Sequence, residues 1–584
     1  MRGSRRTARA TAGLVLALLL AGCGLPLEGG VRVPGPVSGD AQEFGAVQQL
    51  PAGPQPDASA RAIVQGFVSA QVSAEDDHAI ARQFLAAEIR DTWTDDRVLI
   101  RSRELDVSVD PLDETKVVTR ADVLASISED GAYQLESAEP REEEYRLRAD
   151  GAGQLRLIEV PSGLRLTPEA VAGSFRPQRV FFLQDSGPPG STPRLVPDRL
   201  FLPDDDLVSA LVGRLLAGPS GPLTDAVTSA FPPGTELRRP VSSADGVVTV
   251  DLSGPLDQLS VQQRQDLSAQ LVWTLRGAGQ VFTSLRLLAE GRPYPVEDAG
   301  LLQDRDEWPD YDPETGTGTE ALLLVNGGRV QVLRGGLPAS EATDGRVPVS
   351  AAVASPSSGD LALLSESPDG GGDVVRIGAP QGPFTVALAS GQVGSSSWGS
   401  GDDGLWVVVD EPAPEVLLVG DPVVGGAATP VPYVQPPGAG PLSSLQVSRD
   451  GARAAAVFGT GASRQVYVGR VERAAGDVTR LAGFRPVARA LTDVADVAWE
   501  SGTSLVVLGA LGTANRLPVR VAVDGSEVEP VRTLGLDGEP QTLTAAPGLP
   551  LVVGAALAGQ QVLFVEENGL FGEPVPGSAP SYPG

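Results

Sequence analysis

The chain has 584 residues, with 74 acidic against 45 basic side chains and a formal net charge of −29. A chain this acidic repels nucleic acid and anionic headgroups, which excludes a nucleic-acid partner and argues against lying flat on a lipid surface. A single cysteine leaves no disulfide framework, so an exported fold must stand on cores drawn from the 41% of residues that are hydrophobic.

Arg2, Arg5, Arg6 and Arg9 precede an apolar run from Thr11 to Leu20. That run is too short to span a bilayer and has the length of a signal-peptide core, so residues 1–22 read as a signal peptide. Directly after it come Leu20-Ala21-Gly22-Cys23, and Cys23 is the only cysteine. The arrangement resembles the lipobox of bacterial lipoproteins. In that family the peptide is removed before the cysteine, whose sulfur then carries a diacylglycerol and whose amine is acylated. The resemblance implies lipidation at Cys23, recognition through Leu20, Ala21 and Gly22, and residence on the extracytoplasmic face of the cell membrane. Two acyl chains give the stable anchoring that one does not. Arg5-Arg6 are followed by Thr7-Ala8-Arg9 rather than by the hydrophobic continuation of a twin-arginine signal, so Sec export is expected. Lys116 is the only lysine, and heavy use of Ala, Gly, Val and Arg suggests a GC-rich, actinobacterial genome.

Residues 23–56 are rich in Gly, Pro and Gln and read as a lipidated flexible tether. From Asp57 the pattern changes. Ala60, Ile63, Val64, Phe67 and Val68 recur at helical spacing, and so do Ile80, Phe84, Leu85, Ile89 and Trp93, which predicts two amphipathic helices. Runs at Arg97–Val109, Lys116–Ile127, Tyr145–Arg148 and Gln154–Val160 predict strands. Residues 57–176 thus read as an α+β domain, and the helix-then-sheet order looks like a cone-shaped nuclear-transport-factor-like domain. His78, the only histidine, follows Glu75-Asp76-Asp77 and reads as a polar position at a helix N-terminus rather than a pocket base.

A second α+β domain is expected over 177–296. Arg179–Leu183 and Leu195–Leu202 predict strands. Asp204 to Asp206 then precede Leu207, Leu211, Leu215 and Leu216, and these acids fit a helix N-cap and first turn better than a metal site. The helix stops at Gly218-Pro219. A strand over Val247–Ser253, a helix carrying Leu267, Leu271, Val272 and Leu275, and a strand over Ser284–Ala289 follow. Leu215-Leu216-Ala217-Gly218-Pro219, Phe231-Pro232-Pro233-Gly234-Thr235, Asp245-Gly246 with Val250-Asp251-Leu252-Ser253, and Val272-Trp273-Thr274-Leu275 closely resemble the GerMN domain of germination and sporulation proteins. Trp273 stands where many members carry Tyr. The family is regarded as a binding or scaffolding module.

Residues 297–318 are acidic, bear Gly and Pro, and read as a linker. Beyond them an apolar strand ending in a small or aromatic residue and a Gly turn recurs around Ser355, Trp398, Ser448, Trp499 and Ala546, each followed by a second apolar strand. A period of about 40–50 residues holding several strands predicts β-propeller blades over 319–584. Five repeats are visible and the strands in Ala321–Leu333 precede them, so five or six blades are expected, with closure against the C-terminal blade. Ser448-Arg449-Asp450-Gly451 resembles a common propeller turn. Asp402-Asp403-Gly404 lacks the ligand spacing of a calcium loop and reads as turn chemistry.

Lipobox, α+β domain, GerMN domain and all-β propeller in this order resemble the LpqB lipoprotein family of actinobacteria. The resemblance implies an accessory role in two-component signalling through contact with the extracytoplasmic domain of an MtrB-type sensor histidine kinase, and a link to envelope homeostasis. The residues themselves offer no catalytic constellation, cofactor motif or metal site. A propeller hydrolase would need His78, some 240 residues before the blades. A cell-wall glycan binder is the other alternative, because six tryptophans could stack on sugars.

Overall fold

The computed structural model describes residues 51–184, 193–204, 206–314, 321–334, 337–343, 345–400, 404–410, 413–420, 426–474, 477–512 and 514–584. Leu20, Ala21, Gly22 and Cys23 lie outside the described residues, as do Asp205, Asp402 and Asp403. The described chain from Pro51 to Gly584 forms one compact unit.

Helix α1 (Ala60–Ala70) starts at Ser59, whose hydroxyl accepts the Ala62 N–H (3.3 Å), and buries Ile63, Val64 and Phe67. The second expected helix is interrupted. α2 (Glu75–Arg82) and α3 (Ala87–Arg90) flank residues whose backbone joins a sheet instead: Leu157 donates to the Phe84 carbonyl (2.9 Å) and Ala86 to the Leu157 carbonyl (2.8 Å). These bonds take the groups a continuous helix would have used.

The sheet beneath comprises β1 (Val98–Arg101), β2 (Asp106–Asp110), β3 (Asp113–Ile127), β4 (Tyr133–Leu135), β5 (Pro140–Ala149), β6 (Leu155–Glu159) and β7 (Leu164–Leu166). Its order is β6-β5-β3-β1-β7, with β2 and β4 also on β3; β1 and β7 run parallel. The run expected as one strand over Arg97–Val109 divides where its register on β3 slips: Arg101 faces Val123 and Asp106 faces Arg120, so the segment between carries two extra residues.

α4 (Pro168–Ser174) leads into the second domain. There β8 (Phe175–Gln184) and β9 (Leu195–Pro203) pair as a hairpin, followed by α5 (Leu207–Ala217). Asp206 occupies the N-cap position, but at φ +48° and without a side-chain cap bond. Strands Val247–Ser253 and Ser284–Ala289 pair in parallel across α6 (Val261–Leu275). A Ser260/Gln263 capping box starts α6, and every residue from Asp266 to Leu275 is buried. Its buried polar groups finish the edge of β8: Gln270 donates to the Phe181 carbonyl (2.8 Å), and the Phe181 N–H donates to Thr274 Oγ1 (3.1 Å).

Residues 297–318 are not a free linker over the described part. Gln303–Asp304 adds to the sheet beside Ser284–Ala289. Trp308 and Tyr311 fold back onto α6, where the Trp273 indole donates to the Trp308 carbonyl (3.1 Å) and the Tyr311 hydroxyl to Asp266 Oδ1 (2.7 Å). Two aromatics outweigh the acidic composition that suggested a spacer.

Among the described residues the C-terminal region forms six sheets of at least four strands, so the ring has six blades. The innermost strands are Ala351–Ala354, Val393–Trp398, Leu442–Val447, Leu491–Ser501, Glu539–Thr544 and Ser578–Ser581, touching in cyclic order. Closure occurs within one blade: Ser578–Ser581 pairs with Leu322–Asn326, so one sheet takes three strands from the start of the propeller and one from its end.

Candidate functional site

Among the described residues no helix is long and apolar enough to cross a membrane, and no group of three or more His, Cys, Asp or Glu is placed to hold a metal. His78 lies near the start of α2, and it is buried there. Its Nε2 lies 3.4 Å from Asp95 Oδ2, and its ring meets Trp93 edge-on. The hydrogen bond from His78 holds the Asp95 carboxyl below its ordinary range. The burial follows from a left-handed turn at Asp76, Asp77 and His78, for which the sequence carries no local glycine signal.

The richest constellation is where the second domain meets the propeller. Each innermost strand ends at a turn, and the turns after Trp398, Val447 and Ser501 face the β8–β9 hairpin. Ser448-Arg449-Asp450-Gly451 is held by its own side chains: Asp450 Oδ1 accepts the Ser448 hydroxyl and the Ala452 N–H (3.0 Å), and Ser448 Oγ accepts the Arg453 N–H (3.0 Å). Gly451 sits at φ +70°, and a Cβ there would lie 2.7 Å from Ser400 Cβ, so the turn and its close approach favour glycine. Buried Arg453 donates to the Pro197 carbonyl, and Arg194 donates to the Arg449 carbonyl (3.3 Å). Arg199 pairs with Asp524 (3.1 Å) and Glu527 (2.7 Å) on a neighbouring blade. Asp198, buried between them, accepts the Ser220 N–H and hydroxyl (both 2.8 Å); burial pushes its carboxyl upward. The repeat turns were legible in sequence, but Arg194, Arg199 and Arg453 were not singled out. Only the place of Arg453 just after the Ser-Arg-Asp-Gly turn could have drawn notice.

Because blade strands alternate in direction, the turns after the innermost strands share one face and the connections into them lie on the other. The chain's own hairpin occupies the first face. The opposite face carries the connections at 431–441 and 531–538, which expose Val434 and Leu534.

None of the six tryptophans is exposed. Trp398 and Trp499 lie between blades, their indoles donating to the Val353 and Gln446 carbonyls of the preceding innermost strands (both 3.1 Å). They serve blade packing and offer no open ring for a sugar.

The three regions match three protein families: "Lipoprotein LpqB, N-terminal domain" over residues 53–172, "Sporulation and spore germination" over 179–295, and "Lipoprotein LpqB beta-propeller domain" over 320–578. A Lipoprotein LpqB of Thermobifida fusca is 31% identical over 639 residues, covering 100% of this chain and 99% of the relative. The chain belongs to the LpqB lipoprotein family. A Lipoprotein LpqB of Mycobacterium tuberculosis is 28% identical, covering 99% of this chain and 100% of that one. Among solved structures, the tandem GerMN domains of GerM from Bacillus subtilis align at 19% identity over 23% of this chain and 45% of that one, with a TM-score of 0.19. TolB from Acinetobacter baumannii aligns at 12% identity over 70% of this chain and 99% of that one, with a TM-score of 0.34. The LpqB family's three-part order of N-terminal domain, GerMN-type domain and propeller is the order found here.

Proposed function

We propose that the chain is an extracytoplasmic accessory lipoprotein, held to the cell membrane by lipid on Cys23. It acts without catalysis on the extracytoplasmic domain of an MtrB-type sensor histidine kinase, and so on envelope homeostasis. One observation carries the reading: the propeller gives one face to its own chain through Arg199 and Arg453 and leaves the other as a rigid ring of loops. Loops on such a scaffold can present a contact surface without disturbing the ring.

The test is direct binding of residues 51–584 to the purified sensor domain. Saturable binding is expected, with Val434→Asp and Leu534→Asp weakening it by about tenfold or more. Absence of binding at tens of micromolar, or indifference to both substitutions, would sink the assignment of partner or face. Cys23→Ser separately tests the anchor, since the variant should accumulate unlipidated. A processed, detergent-extracted lipoprotein from that variant would exclude Cys23 as the attachment point.

A further inference from the structure

The N-terminal sheet curls into a concave face. Arg165 on β7 donates from Nε (2.9 Å) and Nη2 (2.7 Å) to Glu143 on β5, although β1 and β3 lie between those strands. On a flat sheet three strand spacings would set their bases about 14 Å apart. Over this pair opens a cleft of about 730 Å³, and against its floor lies a recess of about 10 Å³, room for a single water. Leu99, Arg141, Glu143 and Arg165 line both; Arg101, Thr119 and Tyr145 line the recess.

The charges in this cleft are unevenly matched. Arg165 already holds Glu143 and also donates to the Gly163 carbonyl (2.7 Å). Asp130 accepts the Ala132 and Gly221 N–H groups (3.2 and 2.8 Å), and Glu136 accepts the Ser126 hydroxyl (2.9 Å). Among the described residues neither Arg101 nor Arg141 forms an ion pair. Arg101 donates from Nη1 to the Ser102 carbonyl (2.8 Å), but its buried Nε has no hydrogen-bond partner. Arg141 and Tyr145, four apart on β5, point to the same face. Tyr145 is 1% exposed, and its hydroxyl has no hydrogen-bond partner. Burial pushes that hydroxyl up to about 12, so it stays a neutral O–H donor. Two unpaired guanidinium groups and a stranded donor converge in a protein whose net charge is strongly negative.

We propose that the cleft binds a small oxyanion, a carboxylate or phosphate monoester on a hydroxyl-rich body, with Arg141 directly on its anionic head and Arg101 and Tyr145 reaching that head through a water in the recess. Charge-assisted bonds from arginine suit such a head, and the outer wall, with Ser126, Ser162, Glu129 and Glu136, suits hydroxyl groups rather than an alkyl chain. The assignment is independent of the kinase partner.

Calorimetric titration of the full chain with glucuronate, glucose 6-phosphate, glucose and inorganic phosphate tests it. At least one of the two anionic sugars is expected to saturate a single site about tenfold or more tighter than glucose or inorganic phosphate. Arg141→Gln, an exposed change, should weaken that binding about tenfold. Tyr145→Phe deletes a hydroxyl that has Thr119 as a polar neighbour but forms no hydrogen bond of normal geometry in the free protein. It should leave the unliganded melting temperature in place while weakening the ligand about threefold or more. Failure of both anionic sugars to exceed glucose overturns the proposal, as does affinity unchanged in both variants. Equal affinity for inorganic phosphate overturns the hydroxyl-rich body.

Discussion

The propeller and the N-terminal domain both hold curved sheets together, and they do it with different chemistry. In the propeller, polar side chains on one innermost strand accept N–H groups of the next. Ser395 takes Leu445 (3.0 Å), Ser397 takes Val447 (3.2 Å), Asp496 takes Leu543 (2.9 Å) and Thr544 takes Tyr582 (3.1 Å). The tryptophan bonds also donate from the later strand to the earlier one, but there the side chain is the donor and the backbone carbonyl the acceptor. In the N-terminal domain the link across the concave face is one ion pair, Arg165 with Glu143, surrounded by backbone carbonyls. A closure repeated around a ring spreads its load, whereas a single buried pair concentrates it.

The sharpest way to break this contrast is Arg165→Met. It leaves Glu143, whose side chain is 15% exposed at the cleft, without its cation; such a loss costs about 3–5 kcal/mol for a fully buried pair, and the lower end of that range is expected here. Denaturant unfolding should show an early transition assigned to the N-terminal domain, with the propeller transition unmoved. A loss below about 1 kcal/mol would mean that water already satisfies Glu143 and that the pair does not hold the curvature.

A smaller effect is expected at a single blade junction. Trp499→Phe removes the bond to the Gln446 carbonyl and part of a buried ring, for a loss of about 2 kcal/mol. Trp406 supplies the control. It is 1% exposed, yet its indole N–H has no partner, so Trp406→Phe loses ring volume but relieves a stranded donor. The unfolding midpoint should fall less for Trp406→Phe than for Trp499→Phe. The reverse order would remove the indole-to-carbonyl bond from the account of blade cohesion.

The same contrast explains what could be read in advance. The propeller period was visible because each blade repeats its own solution, down to Trp398 and Trp499 at equivalent positions. The sixth blade was ambiguous because it draws strands from both ends of the region and so lacks a contiguous repeat. In the second domain, the Gly218-Pro219 stop is local chemistry and announces itself, and the Ser260 and Gln263 capping box is equally local although it was not read from the sequence. The break in the helical pattern at Phe84–Ala86 depends on Leu157, and the curl of the first sheet depends on Glu143 meeting Arg165. Neither leaves a mark at short range. Trp308 and Tyr311 misled for a related reason: the acidic residues around them outvoted two aromatics whose partners lie on α6. The cleft floor was hidden because Arg101, Arg141 and Tyr145 come from two strands and are ordinary residues until the sheet folds.

The smallest effect is a pH dependence confined to the ring. Asp496 accepts the N–H groups of Leu543 and Val497 (both 2.9 Å), and burial in the channel wall raises its carboxyl to about 6. An unfolded aspartate titrates near 3.9. Between those values the folded chain keeps a proton that the unfolded chain has released, so stability falls as pH rises through that window and the contribution is gone above it. Full burial would correspond to about 3 kcal/mol. Asp496 keeps some contact with the channel, so a loss of about 1 kcal/mol is expected between pH 4 and 7. Asp496→Asn keeps an oxygen to accept the Leu543 N–H and cannot titrate. Its propeller unfolding midpoint should therefore lose this part of the pH slope and lie above that of the parent at pH 7. If the two proteins keep the same slope from pH 4 to 7, Asp496 is ionised throughout, and its junction stands as a charge-assisted bond instead of a protonated one.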